Sequence, residues 1–281
     1  MPISKTPVGA IAFTHNGIVP KSGGPAAIVF VHGAGGLAKD WPAEWRYMTN
    51  AAQTLGIRSL PETKPLAGRP IYAIDLPGHG QSAPLADAVP TVGDLADAVI
   101  AFIATQGIEG AIVAGHSLGG AIALTAALRA PNAVGGLVIV GSAARLPVTD
   151  QILDGLQTEF KPTVDMITKF CWSRTAPSVF REIGRRRMKA TGAQRLHADF
   201  AACAEYDVRD QLADIAQPTL VVAGERDKMV PVEAAQKLAD RLANATCAVI
   251  ADAGHFLHLE RTGETADAIT MFLQTKFPVS A

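Results

Sequence analysis

The chain has 281 residues, 48% of them hydrophobic and 18% charged, which is enough apolar material for a large buried core and argues against disorder. A formal net charge of −1 gives no electrostatic reason to expect nucleic acid or an anionic membrane as partner. No apolar run approaches a membrane span, and the opening MPISKTPVGAIAFTHNG lacks the basic-then-apolar order of a secretory signal.

Residues 8–13 are short and apolar and end at Asn16-Gly17, a turn dipeptide that predicts an N-terminal hairpin. Residues 26–31 (AAIVFV) read as a buried strand that runs into His32-Gly33-Ala34-Gly35-Gly36. That glycine-rich loop has neither the spacing of a P-loop nor that of a dinucleotide site, and it suits one half of an oxyanion hole. Residues 41–55 predict a helix with Asp40 as N-cap, and residues 56–70 an exposed, Pro-containing connection. Residues 71–74 are the next buried strand, followed by Asp75-Leu76-Pro77-Gly78-His79-Gly80. Here Asp75 is expected to tie down a turn rich in Pro and Gly rather than to react. Apolar residues at helical spacing over 92–104 predict an amphipathic helix.

Residues 111–114 are apolar enough for a strand buried on both faces, and the segment after residue 120 is strongly helix-forming. Between them Gly115-His116-Ser117-Leu118-Gly119 fits G-x-S-x-G, a tight strand-to-helix turn that holds a serine hydroxyl at the tip of a sheet. Its glycines are expected where side chains would collide, because the turn forces the serine into a strained conformation. Residues 137–140 form another strand. From 142 to 210 the strand-and-helix alternation stops, and apolar spacing at Ile152, Leu153, Leu156 and Phe160, then Val164, Ile167, Phe170 and Cys171, predicts an inserted helical subdomain. The Arg185-Arg186-Arg187 run reads as a solvated helix face. Alternation resumes with a strand at 219–223 ending in Gly224-Glu225-Arg226-Asp227, a helix opened by Pro231, a strand at 247–250 ending in Asp252-Ala253-Gly254-His255, and a last helix at 262–275.

In a parallel sheet the loops at the carboxyl ends of the strands gather on one edge. His32-Gly33-Ala34, Ser117, Asp227 and His255 all occupy such loops. A serine hydroxyl is a poor nucleophile until a base takes its proton, and an imidazole does so only with its tautomer fixed by an acceptor on the other nitrogen. Ser117, His255 and Asp227 are therefore the expected nucleophile, base and acceptor, with the Ala34 and Leu118 amides as oxyanion donors. Glu225 is expected to point elsewhere, His116 away from the serine, and His258 to stabilise the start of the last helix.

In these motifs the chain resembles the α/β-hydrolase superfamily, in its branch of small serine esterases with a helical cap. The resemblance rests on His32-Gly33-Ala34, the Asp75 to Gly80 turn, Gly115-His116-Ser117-Leu118-Gly119-Gly120, Gly224-Glu225-Arg226-Asp227 and Gly254-His255. It implies an α/β fold, a mostly parallel eight-stranded sheet with helices on both faces. The core would comprise 1–141 and 211–281, and the cap 142–210. It further implies a cofactor-independent carboxylesterase working through an acyl-enzyme on a small-molecule ester, with Met166, Phe170 and Trp172 of the cap as pocket residues. The same triad would also serve C–C bond hydrolysis, lactone hydrolysis or perhydrolysis. A serine rather than an aspartate nucleophile argues against haloalkane and epoxide substrates, and His116 in the elbow disfavours ring-fission products, whose hydrolases often carry G-N-S-x-G. A module of this fold that binds a ligand without turnover is the reading from a different class. Three widely spaced cysteines (Cys171, Cys203 and Cys247) in no metal-ligand pattern are expected as reduced thiols in or near the core. No metal, nucleic acid or membrane is expected, the location is expected to be cytoplasmic, and monomer and homodimer are both left open.

Overall fold

A computed structural model of the chain describes residues 1–46, 66, 68–87 and 89–279. Eight strands form one sheet: β1 (Ile3–Thr6), β2 (Gly9–His15), β3 (Ile28–Val31), β4 (Ile71–Ile74), β5 (Ala111–His116), β6 (Val134–Val140), β7 (Thr219–Gly224) and β8 (Ala245–Ile250). Their order across the sheet is β1-β2-β4-β3-β5-β6-β7-β8. The β1–β2 and β2–β4 pairs are antiparallel and the rest are parallel. The strands β3, β4, β5 and β7 are buried at every position, as expected where both faces are covered. Alternate residues serve opposite faces: Val29 and Val31 join one apolar cluster, Ile28 and Phe30 the other.

The helices α2 (Val92–Thr105), α3 (Leu118–Arg129) and α8 (Val232–Arg241) cover the first face. The short α1 (Ala43–Arg46) and α10 (Thr262–Lys276) cover the second. Thr91 and Asp94 form a reciprocal cap at the start of α2. Between β6 and β7 the chain makes four helices, α4 (Asp150–Thr158), α5 (Phe160–Cys171), α6 (Ser178–Thr191) and α7 (Ala193–Glu205). They carry a third apolar cluster, against which Ala34, Met229 and Phe256 from the sheet's loops pack. No helix among the described residues is long and apolar enough to cross a membrane.

Four expectations need correction. The N-terminal hairpin turns at Pro7-Val8, not at Asn16-Gly17. The Asn16 side chain instead ties β2 to β4: its Nδ2 donates to the Arg69 carbonyl (2.8 Å) and its Oδ1 accepts from the Ile71 amide (3.2 Å). Asp40 is not the N-cap, because α1 starts after Pro42; its Oδ2 accepts from the Leu37 amide of a preceding turn. Most of the helix expected over 41–55 and of the connection 56–70 lies outside the described residues. Leu66 and Arg69, which are described, are buried rather than exposed, since the Arg69 guanidinium donates to the Ala26 and Phe277 carbonyls across the sheet's end. Cys171 and Cys203 are buried, whereas Cys247 is exposed, because β8 is an edge strand with a half-open face.

Asn16→Ala should lower the urea unfolding free energy by about 1–3 kcal/mol with the slope unchanged, because it strands a buried amide and a buried carbonyl at the β2–β4 junction.

Candidate active site

The chain leaves β3 toward β4 on one side and later returns to β5 on the other, so the carboxyl ends of β3 and β5 flank a point where the connections diverge. Such a point leaves a crevice in an open parallel sheet. Into it project the 32–36 loop and Ser117.

Ser117 has φ 52° and ψ −118°, a strained conformation for a residue with a side chain. Its neighbours explain how the strain is held. A Cβ on Gly115 would strike the Gly119 carbonyl, and one on Gly119 would strike the Val31 carbonyl. One on Gly120 would lie 2.5 Å from the Ser142 Cβ. The Ser117 amide donates to the Val140 carbonyl (2.9 Å), which fixes the turn to β6.

After β7, Asp227 Oδ1 accepts from the amides of Met229 (2.8 Å) and Val230 (2.9 Å), and its Oδ2 lies 2.8 Å from His255 Nδ1. The carboxylate is thus immobilised and meets an Nδ1–H, which leaves Nε2 as the basic nitrogen. The His255 amide donates to the Cys171 carbonyl (2.8 Å). Gly141, at φ +53°, lets the backbone pass this pair: a Cβ there would stand 3.4 Å from His255 Nδ1 and 3.5 Å from Asp227 Oδ2. The structure brings Asp227 and His255 into contact and sets Ser117 at the same edge, with no Ser117 Oγ–His255 Nε2 hydrogen bond formed.

Neither the Ala34 nor the Leu118 amide donates a hydrogen bond to the described residues. Gly33 lies against the serine, where an added Cβ would come within 3.1 Å of the Ser117 Cβ. His32 stiffens this loop from below. Its Nδ1 donates to the Gly33 carbonyl (2.8 Å) and its Nε2 accepts from the Leu76 amide (2.9 Å). Burial, with His79 adding to it, lowers its pKa to about 3.

A second buried histidine–aspartate pair stands behind the loop. His79 Nε2 is 2.8 Å from Asp199 Oδ2, on α7. The same carboxylate accepts from the Gly35 amide (2.8 Å) and from Arg195 Nε (3.1 Å). Burial pushes Asp199 toward the neutral form, but His79, Arg195 and the Gly35 amide outweigh it and hold its carboxyl below the usual range. Asp199 and Arg195 belong to no motif; the only trace in the chain is their i, i+4 spacing on one helix. Asp75 anchors the turn as expected, accepting from the Ala38 amide (2.8 Å).

The rivals are placed elsewhere. Glu225 Oε2 accepts from the Asp252 amide (3.0 Å). His116 Nε2 donates to the His255 carbonyl (3.0 Å). His258 lies in the short helix α9 (Leu257–Glu260), where its carbonyl accepts from Thr262 Oγ1 at the start of α10 (3.1 Å). Its ring packs between Trp41 and His116, at centroid distances of 4.9 and 4.6 Å, and burial lowers its pKa to about 3.

A cavity of about 230 Å³ opens beside the 32–36 loop. Its walls are Ala34, His116, Trp172 and Phe256, with Phe180 and Met188 from α6. Of the three expected pocket residues only Trp172 lines it, stacked on Phe256 at 4.6 Å. Phe170 is 41% exposed and faces an outer groove instead, because it sits one helical step from the buried Cys171 on the solvent side of α5. Met166 lines neither space. The Arg187–Asp40 ion pair (2.6 Å) and Lys39 close the far end, so Arg187 of the triple-arginine run is not merely a solvated face.

A model described as the alpha/beta hydrolase family matches residues 28–268, which includes both sides of the helical segment. A 2-hydroxymuconate semialdehyde hydrolase from Pseudomonas sp. (strain CF600) is 28% identical over 265 residues, covering 90% of this chain and 88% of that one. Among solved structures, a thermophilic esterase superposes with a TM-score of 0.78 at 28% identity, covering 98% of this chain and 97% of that one. The enol-lactonase from Burkholderia xenovorans LB400 reaches 0.80 at 20% identity, over 97% and 100%, a likeness of fold.

The buried histidines make stability depend on pH. Unfolded His258 takes up a proton below about 6.5, whereas the folded side chain does so only near 3, so its contribution is present above 6.5 and is lost as pH falls toward 3. Between pH 7 and 5 the urea unfolding free energy should fall more in the wild type than in His258→Phe, by about 2 kcal/mol. Parallel pH curves for the two proteins would show that the folded ring is not held neutral.

Proposed function

Given that the chain belongs to the alpha/beta hydrolase family, we propose that it is a serine hydrolase that cleaves carboxylic esters of small to medium apolar substrates through an acyl-enzyme. One observation carries this reading: a strained Ser117 shares a sheet edge with the 2.8 Å Asp227–His255 pair and with two unpaired amides. In the first step Ser117 Oγ attacks the acyl carbon while His255 Nε2 takes its proton. Asp227 holds the Nδ1–H and stabilises the imidazolium. The tetrahedral oxyanion meets the Ala34 and Leu118 amides, and the N-terminus of α3 adds its positive end. Collapse breaks the ester C–O bond as His255 returns the proton to the leaving alkoxide, and water repeats the sequence to release the acid. The helices α4 to α7 act as a cap whose α6 and Trp172 shape an apolar pocket.

A second reading keeps Ser117, His255 and Asp227 but breaks a carbon–carbon bond. The semialdehyde named for the relative from strain CF600 contains no ester, so its hydrolysis must cleave something else. The Arg187–Asp40 pair and Lys39 at the end of the cavity together leave a net positive charge, which suits a substrate with an anionic tail.

A p-nitrophenyl ester series from acetate to decanoate separates these readings. The wild type should turn over short esters, Ser117→Ala should lose on the order of 10⁶ in kcat, and Asp227→Asn about 10⁴. A wild type inert on every ester but active on a vinylogous diketone favours the C–C reading. A single labelling of Ser117 by a fluorophosphonate with no turnover of any substrate would leave a binding module.

A further inference from the structure

The amide assigned to the oxyanion at Ala34 lies in a loop that its own strand end holds at Gly33 and the inserted helices hold at Gly35. Three peptide units decide where it points. The Gly33–Ala34 unit is fixed through its carbonyl, which accepts from His32 Nδ1 (2.8 Å) and from the Gly36 amide (3.0 Å). In a trans peptide the Ala34 N–H then points the opposite way, away from those partners. The next two units are held from outside the loop. The Gly35 N–H donates to Asp199 Oδ2 at 2.8 Å, and the Gly35 carbonyl accepts from Thr191 Oγ1 at 2.9 Å. Thr191 ends α6 and Asp199 lies in α7, so both belong to the helical segment inserted between β6 and β7.

Gly35 is seated as well as bonded. Its φ is +64°, and a Cβ would press to 2.7 Å from Leu196 Cδ1 of α7. Asp199 is fully buried and makes bonds from three directions, to Gly35, to His79 on the loop after β4 and to Arg195 on its own helix. With His79 and Arg195 holding it from two other parts of the chain, the buried carboxylate sets where the Gly35 amide sits.

From this we infer that Asp199 and Thr191 are positioning residues for the oxyanion hole, acting through Gly35 on the Ala34 amide. The hole is complete only with α6 and α7 seated, so the elements that cover the substrate also finish the catalytic constellation. The inference rests on the serine-hydrolase reading above.

The test uses phosphonylation of Ser117 by a fluorophosphonate, in which Oγ attacks phosphorus, fluoride leaves and His255 takes the proton. This reaction develops charge on the phosphoryl oxygen and needs no knowledge of the natural substrate. Losing an oxyanion donor outright costs roughly 10²–10³ in rate, so a misplaced one should cost about ten- to a hundred-fold. Thr191→Val removes only the hydroxyl bond, and Asp199→Asn puts an amide donor among three donors. Both should slow phosphonylation and kcat on a p-nitrophenyl ester by about ten- to a hundred-fold, with KM within about threefold. Thr191→Ser should return both rates to within about twofold of the wild type. Wild-type phosphonylation rates in Thr191→Val, a rise in KM alone, or a fall that Thr191→Ser does not rescue would each overturn the inference. So would a lowered melting midpoint with the rate per folded molecule intact. A wild type that does not label at Ser117 would instead sink the serine-hydrolase reading itself.

Discussion

Three backbone segments meet at the turn through Ser117 more closely than any side chain would permit, and the rest of the site depends on that approach. The Gly115 and Gly119 backbones touch across the turn, and Gly119 also lies on the Val31 and His32 carbonyls at the end of β3. This contact sets the serine beside the 32–36 loop, because β3 and β5 are hydrogen-bonded neighbours with matched register, Val31 against Gly115. A methyl group at Gly119 would push α3 away from β3, and one at Gly115 would push α3 away from β5; either would shift the Leu118 amide from its place beside the 32–36 loop. Strain at one residue is thereby stabilised by packing spread over β3, β5, β6 and α3.

Two buried histidine–aspartate pairs of equal length lie behind this edge, and their surroundings give them different roles. In both, an aspartate oxygen is 2.8 Å from an imidazole nitrogen. The second nitrogen of His79 faces the Pro77 carbonyl at 3.2 Å, so both of its nitrogens are engaged and the ring is a strut. The Nε2 of His255 has no hydrogen-bond partner among the described residues, which leaves its lone pair for an incoming proton. The aspartates differ in the same way. Asp227 takes two amides of its own loop and orients one ring, whereas Asp199 takes donors from three separate parts of the chain and joins them. Distance alone does not separate the two pairs; the nitrogen with no partner among the described residues does, and the proposed base is the ring that carries it.

Much of this was legible in the chain, for reasons that can be named. The strand segments at residues 28–31, 71–74 and 111–114 are apolar at every position because helices cover both faces, and that signal survives without alignment. That Ser117, Asp227 and His255 share one sheet edge was readable because each follows a strand of the parallel sheet. The errors share one cause. Asn16-Gly17 has the composition of a hairpin turn, but composition does not reveal that Asn16 spends its side chain on Arg69 and Ile71 across the sheet. Phe170 has the chemistry of a pocket residue, yet the rotation of α5 about its axis, set by Val164, Ile167 and Cys171 packing on the other helices, turns it outward. The Asp199 network left only the i, i+4 spacing of Arg195 and Asp199, because its other partners lie 164 and 120 residues away in sequence.

The helical segment between β6 and β7 is more than a cover laid over a finished site. It is bonded to the loop after β3 through Gly35, by Asp199 and Thr191. It is bonded to the loop after β8 through the Cys171 carbonyl, which takes the His255 amide, and through the Ser173 amide, which reaches the Glu260 carboxylate at 3.2 Å. Glu260 also accepts from the Gly254 amide at 3.1 Å, so one buried carboxylate joins the end of α5 to the residue before His255. Gly254 has room for neither a methyl group nor a shift, since a Cβ would lie 2.5 Å from the Ser173 amide. Both the donor loop and the base loop therefore take their positions partly from the inserted helices, while the Ser117 turn takes its own from the sheet. The relative placement of the proposed nucleophile, base and donors is consequently a property of how the helical segment sits on the sheet. A substrate that wedges α6 outward would change the reacting geometry as well as the size of the pocket.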